Sequence, residues 1–205
     1  MTRRIRTVLI IMTVVLVAVM STAIGLTAAV WDSSSGGKAE YGPNIGTIDW
    51  NSWTKYFEYE ALEDRNGATV TSYTGTNLGD VIIPLSGAQG TVKEISNNIF
   101  STTTKELPIT IYISATVEQI QAAAFSNLPN LEKVVFASTG DLNGVEVTAQ
   151  SVTVGAYCFA GCANLKEIVI EGNRSVTFDP TAFIGCTSLE TITGYTSEQI
   201  DALNI

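Results

Sequence analysis

A regular spacing of large apolar residues organises the second half of the chain. Phe125, Phe159 and Phe183 are each followed by Leu six positions later and by Ile or Val nine positions later. A weaker copy begins at Phe100, where Ile residues follow nine and eleven positions later. The four Phe residues are 25, 34 and 24 positions apart. A period of this size is typical of a solenoid, in which successive coils stack and bury their apolar sides against each other.

The end of each copy predicts a short strand. The most complete copy has the spacing Leu-x-x-Ile-x-Ile at Leu165, Ile168 and Ile170, and the apolar residues on alternate positions at its end are typical of a strand. Strands of stacked coils lie about 4.8 Å apart and form a parallel sheet. Four copies can be identified, and about three coils are enough for stability. We therefore predict about four coils, with Phe125, Phe159 and Phe183 in one internal column.

Local signals predict further elements between and after the strands. Thr116 with Gln119, and Thr196 with Gln199, have the spacing of a capping box. The first pair predicts a helix that continues to Phe125, and the second predicts a short helix that closes the last coil. The 34-residue interval is explained by an insertion, because residues 138–144 are rich in Gly, Asp and Asn, which favour loops.

The repeats are flanked by segments that predict caps for the two ends of the solenoid. Residues 57–62 and 68–73 have strand-like composition on either side of an Asn-Gly turn, which predicts a β-hairpin. We place an N-terminal β cap at 48–78, the repeats at 79–194 and a C-terminal helical cap at 195–205.

The last two copies carry the most complete form of the pattern. The matching residues are Val152, Gly155, Phe159, Cys162, Leu165, Ile168 and Ile170, then Val176, Ala182, Phe183, Cys186, Leu189 and Ile192. Over about residues 57–194 the chain resembles the BspA-type leucine-rich repeat family of bacterial and protist surface proteins. The resemblance implies a β-rich α/β leucine-rich-repeat solenoid with a short parallel sheet. It also implies adhesion, or binding to a host or neighbouring-cell protein.

The N-terminal segment predicts export. Residues 7–31 carry no charge and follow three Arg residues, and a span of this length can cross a bilayer with its N-terminus in the cytoplasm. Residues 1–31 are therefore a signal anchor, as a transmembrane helix, or a signal peptide that is cleaved. The first alternative gives a single-pass membrane protein at the cell surface with its C-terminal domain outside. The second gives a secreted protein. Residues 32–47, rich in Ser and Gly, predict a flexible linker.

Charge and residue types exclude several classes of function. After Trp31 the chain has 8 basic and 20 acidic residues, a net charge of −12, which disfavours nucleic acid as a partner. The chain has no His, and we find no motif for catalysis, for a cofactor or for a metal. We therefore expect no enzymatic activity, no cofactor and no metal site.

Three cysteines cannot form a complete set of disulfides. Cys162 and Cys186 occupy the repeat position that Leu128 holds in an earlier copy, which predicts buried free thiols that pack as small apolar groups. A Cys162–Cys186 disulfide is the alternative, because stacked coils bring equivalent residues within bonding range.

Outward-pointing strand residues form the best candidate binding surface, since solenoids use such extended faces to bind partners. Repeat equivalence predicts three rows, which are Glu132, Lys166 and Glu190; Lys133, Glu167 and Thr191; and Val135, Val169 and Thr193. We therefore expect an exported, membrane-tethered repeat protein that mediates protein–protein interaction or adhesion at the cell surface. The alternative is a structural envelope protein that self-associates without a foreign ligand. The sequence identifies no particular ligand.

Overall fold

The computed structural model describes residues 48–62, 67–76, 78–203 and 205. The predicted signal segment at 1–31 and the predicted linker at 32–47 lie outside these residues. In the described part of the chain, no helix combines the length and the apolar character needed to cross a membrane.

The described residues form short strands joined by turns, with a helix near each end. The strands are β1 (Phe57–Leu62), β2 (Gly67–Tyr73), β3 (Gly79–Ile83), β4 (Ser86–Gly87), β5 (Gly90–Ile95), β6 (Pro108–Ile113), β7 (Gln119–Ile120), β8 (Lys133–Phe136), β9 (Thr139–Leu142), β10 (Val145–Thr148), β11 (Val152–Val154), β12 (Glu167–Ile170), β13 (Val176–Phe178) and β14 (Thr191–Ile192). A 3-10 helix, Trp50–Tyr56, precedes β1, and helix α1 (Ser197–Asp201) follows β14.

The coils contribute their strands to two parallel sheets. The front sheet has the order β3, β6, β8, β12, β14, and every neighbouring pair in it is parallel. The back sheet runs β2, β5, β7, β11, β13, also in parallel. The predicted parallel solenoid is therefore confirmed. The front sheet has five strands, whereas we predicted about four coils, because Gly79–Ile83 also forms a strand of this sheet.

The predicted N-terminal strand pair is present as β1 and β2, which are antiparallel with Phe57 beside Tyr73 and Leu62 beside Gly67. Strand β2 also pairs in parallel with β5. The pair therefore extends the back sheet at its first edge. The boundaries that we predicted for the caps at residues 78 and 194 stay predictions.

An aromatic column runs through the core between the two sheets. The ring centroids of Phe125 and Phe159, and those of Phe159 and Phe183, are 5.5 Å apart in both cases. The column continues upstream through Phe100, 6.3 Å from Phe125, to Tyr73, 5.1 Å from Phe100. The rings of Phe125, Phe159 and Phe183 are fully buried. The predicted internal column is thus confirmed, and it joins the coils into one core.

The helix predicted from Thr116 and Gln119 is wrong. Gln119 lies in strand β7, beside Glu94 on one side and Thr153 on the other. The hydroxyl of Thr116 donates to the carbonyl oxygen of Leu85 at 3.3 Å. Parallel neighbours on both sides satisfy the main chain here, and this ladder overrides the local helix signal.

The insertion predicted as a loop at residues 138–144 is instead the start of a β-hairpin. Strands β9 and β10 pair antiparallel around Asn143 and Gly144, whose φ angles are 56° and 83°. Two successive positive φ angles identify a type I′ turn, for which Asn-Gly is a preferred sequence. The hairpin therefore follows from a turn signal that the loop prediction overlooked.

The three cysteines are buried free thiols, as the repeat position predicted for Cys162 and Cys186, and the alternative Cys162–Cys186 disulfide is wrong. The thiols of Cys162 and Cys186 donate to the carbonyl oxygens of Phe125 and Phe159, at 3.1 Å in both cases. Each carbonyl belongs to the preceding coil, so each thiol links two coils. Burial raises the pKa of Cys162 to about 12 and that of Cys186 to about 11.

The second capping box is confirmed at the start of helix α1. The hydroxyl of Thr196 accepts a hydrogen bond from the Gln199 N–H at 3.3 Å. The Gln199 side chain in turn accepts one from the Thr196 N–H at 2.9 Å. Ile200 on this helix is buried and joins the core cluster, so the short helix packs against the last coil.

Candidate interaction surface

The outer face of the front sheet is set by the alternation of side chains along each strand. In β12, Ile168 is fully buried, whereas Glu167 and Val169 are half-buried. Alternate residues of a strand point to opposite faces of the sheet. Ile168 therefore packs in the core, and Glu167 and Val169 lie on the outer face.

The predicted second row lies in register across three strands. Lys133 of β8 pairs with Glu167 of β12, and Glu167 pairs with Thr191 of β14. The Lys133 ammonium is 2.9 Å from the Glu167 carboxylate. Thr191 is exposed at the end of the row.

The predicted first row is held together by main-chain hydrogen bonds. The Lys166 N–H donates to the Glu132 carbonyl, and the Glu190 N–H donates to the Lys166 carbonyl, at 2.9 Å in both cases. The Lys166 ammonium lies 3.0 Å from the Glu132 carboxylate. The row therefore presents alternating negative, positive and negative side chains.

The ion pairs of these rows are exposed to solvent. The Lys166–Glu132 side chains are 53% and 50% exposed, and exposed pairs of this kind contribute about 0–1 kcal/mol to stability. Within each pair the positive and negative charges cancel, while Glu190 adds a negative charge that neither pair neutralises. Their main consequence is a fixed pattern of charge on an ordered sheet.

Val135 in the predicted third row is not part of an exposed face. It pairs in register with Tyr112 and Val169, but it is only 2% exposed. Tyr112, Ile82 and Trp50 are also buried, and like Val135 they lie outside the main core cluster. The expectation that Val135 lies on the exposed face is therefore wrong, and its contact with a partner stays a prediction.

The cover over the upstream strands comes from segments distant in sequence. The 3-10 helix Trp50–Tyr56 lies beside both β3 and β9, so residues before the first coil and residues of the inserted hairpin meet near this end of the sheet. The third row emerges from this cover at Val169, which is half-buried, and at Thr193, which is exposed. The Thr193 N–H donates to the Ile168 carbonyl at 2.9 Å.

Polar groups on β3 and β6, the first two strands of the front sheet, are also partly buried. Burial raises the pKa of Asp80, and a hydrogen bond from Thr110 opposes that shift. Burial likewise raises the pKa of Tyr112, and the charges of Asp80 and Glu171 raise it further. We call the solvent-accessible remainder of the predicted rows the exposed face; it consists of the half-buried Lys133, Glu167 and Val169 and the exposed Glu132, Lys166, Glu190, Thr191 and Thr193.

A second candidate region, which the sequence did not lead us to predict, lies beside the hairpin. It is an open groove of about 470 Å³. Its lining residues are Thr91, Lys93, Thr116, Glu118, Glu146, Val147, Thr148 and Gln150. The Lys93 ammonium lies 3.1 Å from the Glu118 carboxylate. The hairpin that forms one side of this groove could have been predicted from the Asn143–Gly144 dipeptide, which lies between Leu142 and Val145 and favours a tight β-turn.

Neither region contains an arrangement typical of a metal centre. Over residues 48–62, 67–76, 78–203 and 205, no group of three or more His, Cys, Asp or Glu side chains could hold a metal ion. The expected absence of enzymatic activity stays a prediction.

Comparison with known sequences gives one family match. A family model described as "BspA type Leucine rich repeat region" matches residues 71–202 in six copies, which is more than half of the chain. No curated protein matches the sequence.

Three solved structures are similar to this chain at low sequence identity, and each match covers 67% of this chain. A leucine rich cell surface protein from Faecalibacterium prausnitzii A2-165 is 20% identical, with 52% of that chain covered and a TM-score of 0.42. The T. pallidum Leucine Rich Repeat protein is 19% identical, with 68% covered and a TM-score of 0.41. The Pneumococcal vaccine antigen PcpA is 15% identical, with 44% covered and a TM-score of 0.34. This chain thus spans about half the length of the first of them.

Proposed function

The chain belongs to the BspA-type leucine-rich repeat family, and from this premise we propose that it is an exported protein of the cell surface. In this proposal the repeats mediate protein–protein interaction or adhesion, without catalysis. Residues 8–31 hold the domain at the membrane as a single span, with cleavage and secretion as the alternative fate of that segment.

One observation gives the main support for the proposed binding role. The residues of the front sheet present side chains in aligned rows, as in the row of Lys133, Glu167 and Thr191. Since a main-chain ladder fixes the spacing, a partner surface with complementary charge can contact several coils at once without a large ordering cost. We propose that the partner is a protein that contacts the exposed face defined above.

The N-terminal sequence supports the proposed location at the cell surface. Three Arg residues precede an uncharged stretch at 7–31. This charge distribution keeps the N-terminus of a segment inside the cell and places the downstream domain outside. A net charge of −9 for the whole chain also suits a protein exposed to water.

The end of the back sheet favours a second candidate function. Among the described strands, β13 has a neighbour only on its β11 side. The other edge of a strand is a template for pairing with another chain. Pairing with a second copy would produce the self-associating envelope protein of the alternative hypothesis.

A site-specific cross-linking experiment tests the proposal. The full chain would be expressed in cells with a photoreactive amino acid at Thr191, on the exposed face, or at Thr177, on the back sheet. Both positions are exposed threonines of the last coil's strands, so they form a matched pair. We expect an adduct with a different protein from Thr191 and none from Thr177.

Other outcomes would redirect the proposal. Equal labelling from both positions, or none from either, would argue against a binding role for the front face. An adduct between two copies of the chain would support the structural alternative. Protease added to intact cells would test the cellular location separately. It should degrade repeats that lie outside the cell, whereas repeats inside the cell would be protected.

A further inference from the structure

The inserted hairpin has an unpaired strand edge. Strand β10 pairs with β9, and within the residues that the structure describes no other strand joins this two-stranded sheet. The two-residue turn at Asn143 and Gly144 leaves Leu142 and Val145 as the closing pair. In such a hairpin the closing pair exchanges both main-chain hydrogen bonds, and the next pair exchanges none.

This alternation fixes which groups of β10 remain available. Val145 and Val147 direct their N–H and C=O groups towards β9, whereas Glu146 and Thr148 direct theirs to the opposite edge. Glu146, Val147 and Thr148 also line the 470 Å³ groove. The open edge of β10 therefore borders a concavity that can accommodate side chains of an added strand.

The groove carries an excess of negative charge. Lys93 and Glu118 on its far wall pair with each other at 3.1 Å, so their charges compensate. Glu146 on β10 is exposed, and it adds a carboxylate that this pair does not neutralise. The groove therefore favours a basic side chain over an acidic one.

We propose that the groove beside β10 binds an extended, basic segment of a partner protein, which adds to the hairpin as a third strand. The inference rests on the proposed interaction function and places part of it outside the front sheet. Main-chain hydrogen bonds at Glu146 and Thr148 supply the pairing, as in other cases where a peptide extends a sheet edge. The Glu146 carboxylate selects Lys or Arg in the added segment. Insertions in repeat proteins often project on the binding side of the solenoid.

The test uses the full chain in a mild detergent and a short, blocked peptide of alternating Lys and Thr as the probe. A second peptide of the same sequence carries an N-methyl group on every main-chain amide, so it keeps the charge but has no main-chain N–H to donate to β10. We expect the first peptide to bind at least about tenfold more tightly than the second, since the main-chain bonds are lost in the latter. Hydrogen exchange at the amides of Glu146 and Thr148 should slow when the first peptide is bound.

Matched charge reversals separate the groove from general attraction to an acidic protein. Glu146→Lys should weaken binding of the first peptide by about tenfold, whereas Glu58→Lys, an equal charge change on strand β1 and outside both the groove and the front sheet, should leave it within about twofold. Both residues are exposed, so both variants are expected to fold. Equal weakening by the two variants, or equal binding of the two peptides, would overturn the proposal.

Two further outcomes distinguish this inference from the proposed function. Capture of a partner at Thr191 together with no peptide binding at β10 would overturn the groove proposal and leave the front-face function standing. Slow exchange at Glu146 and Thr148 that depends on protein concentration, without peptide, would show that a second copy occupies the edge. That result would also overturn the proposal for a basic partner segment.

Discussion

The ring of Phe183 lies parallel to the ring of Phe159, with 6° between their planes and 5.5 Å between their centroids. The angle is 21° between Phe159 and Phe125 and 49° between Phe125 and Phe100. The column is therefore most regular where the repeat sequence is most regular. Because each ring contacts the rings above and below it, the coils are expected to share their stability with neighbouring coils.

Phe159→Ala should lower the free energy of unfolding by about 3–5 kcal/mol, because the substitution leaves a cavity in the middle of the ring column. Phe159 is fully buried between Phe125 and Phe183. Denaturant unfolding followed by circular dichroism measures the change. Ile184→Ala is the control, since Ile184 is 40% exposed and its truncation should cost much less. Equal losses from the two variants would contradict the column as the main source of core stability.

Gly155→Ala should destabilise the protein by about 1–3 kcal/mol through overpacking. A Cβ added at Gly155 would lie 2.8 Å from the main-chain nitrogen of Ala122 in the preceding coil, and a main-chain atom cannot move aside as a side chain can. Gly144→Ala separates the two causes, because its added Cβ meets nothing within 4 Å but its φ is 83°, so it reports backbone strain without a clash. Denaturant unfolding measures the change, and a Gly155→Ala protein as stable as the parent would argue against close packing of the coils at this point.

Arg174 is a buried cation held by main-chain carbonyl groups. Its guanidinium donates to the carbonyl oxygens of Ile113, Ala137 and Val117, at 3.2, 2.9 and 2.7 Å. Burial lowers its pKa to about 10, so the side chain still carries its charge at neutral pH. The hydrogen bonds connect the turn that contains Arg174 to segments of earlier coils.

Arg174→Met should lower the free energy of unfolding by about 2–4 kcal/mol, because it leaves buried carbonyl groups without their donor. Arg174→Lys should recover only part of the loss, since an ammonium lacks the planar fork of a guanidinium. Chemical denaturation of both variants is the measurement. An Arg174→Met protein as stable as the parent would mean that the cost of burying the charge equals the value of its hydrogen bonds.

The buried thiols should resist modification in the folded protein. Only the thiolate reacts rapidly, and burial raises the pKa of Cys162 to about 12 and that of Cys186 to about 11. Near pH 8 both therefore remain protonated as well as inaccessible. We expect no alkylation in the native state and three modified cysteines after denaturation, as measured by intact mass. Rapid labelling of the native protein, or a mass two hydrogens short, would contradict buried free thiols.

Repetition explains why the core could be predicted from the sequence. Phe125, Phe159 and Phe183 recur with the same spacing to their strands, so the positions assigned to core and strand in one coil could be assigned in the same way in the next coil. The copy at Phe100 departs from this rule, because Ile111 pairs with Val134 and lies eleven positions after the ring, where the later copies have nine. The longer turn after Phe100 accounts for the shift.

The wrong predictions concern features that depend on distant segments. A capping box at Thr116 is a local signal, whereas the strand at Gln119 depends on hydrogen bonds to neighbouring coils. The burial of Val135 depends on the segments that cover the upstream strands, and repeat equivalence describes only its position on the sheet. Likewise, no local pattern indicates that Arg174 is buried, since its partners are carbonyl groups 37, 57 and 61 positions away.

The Lys133–Glu167 pair allows the structural and binding roles of the front face to be separated. Its register neighbours on either side, Thr110 and Thr191, are uncharged. The double variant Lys133→Glu with Glu167→Lys therefore restores an ion pair at the same place with its polarity reversed. Its free energy of unfolding should stay within about 0.5 kcal/mol of the parent value, because exposed pairs contribute little.

Partner capture should respond differently from stability. A partner that recognises the charge pattern would face like charges after the exchange, and such contacts are strongly unfavourable. We therefore expect the Thr191 cross-link to a different protein to fall at least about tenfold in the double variant. Full capture at unchanged stability would show that the partner does not read these charges, because the exchange reverses the pattern while keeping the same side chains on a folded sheet.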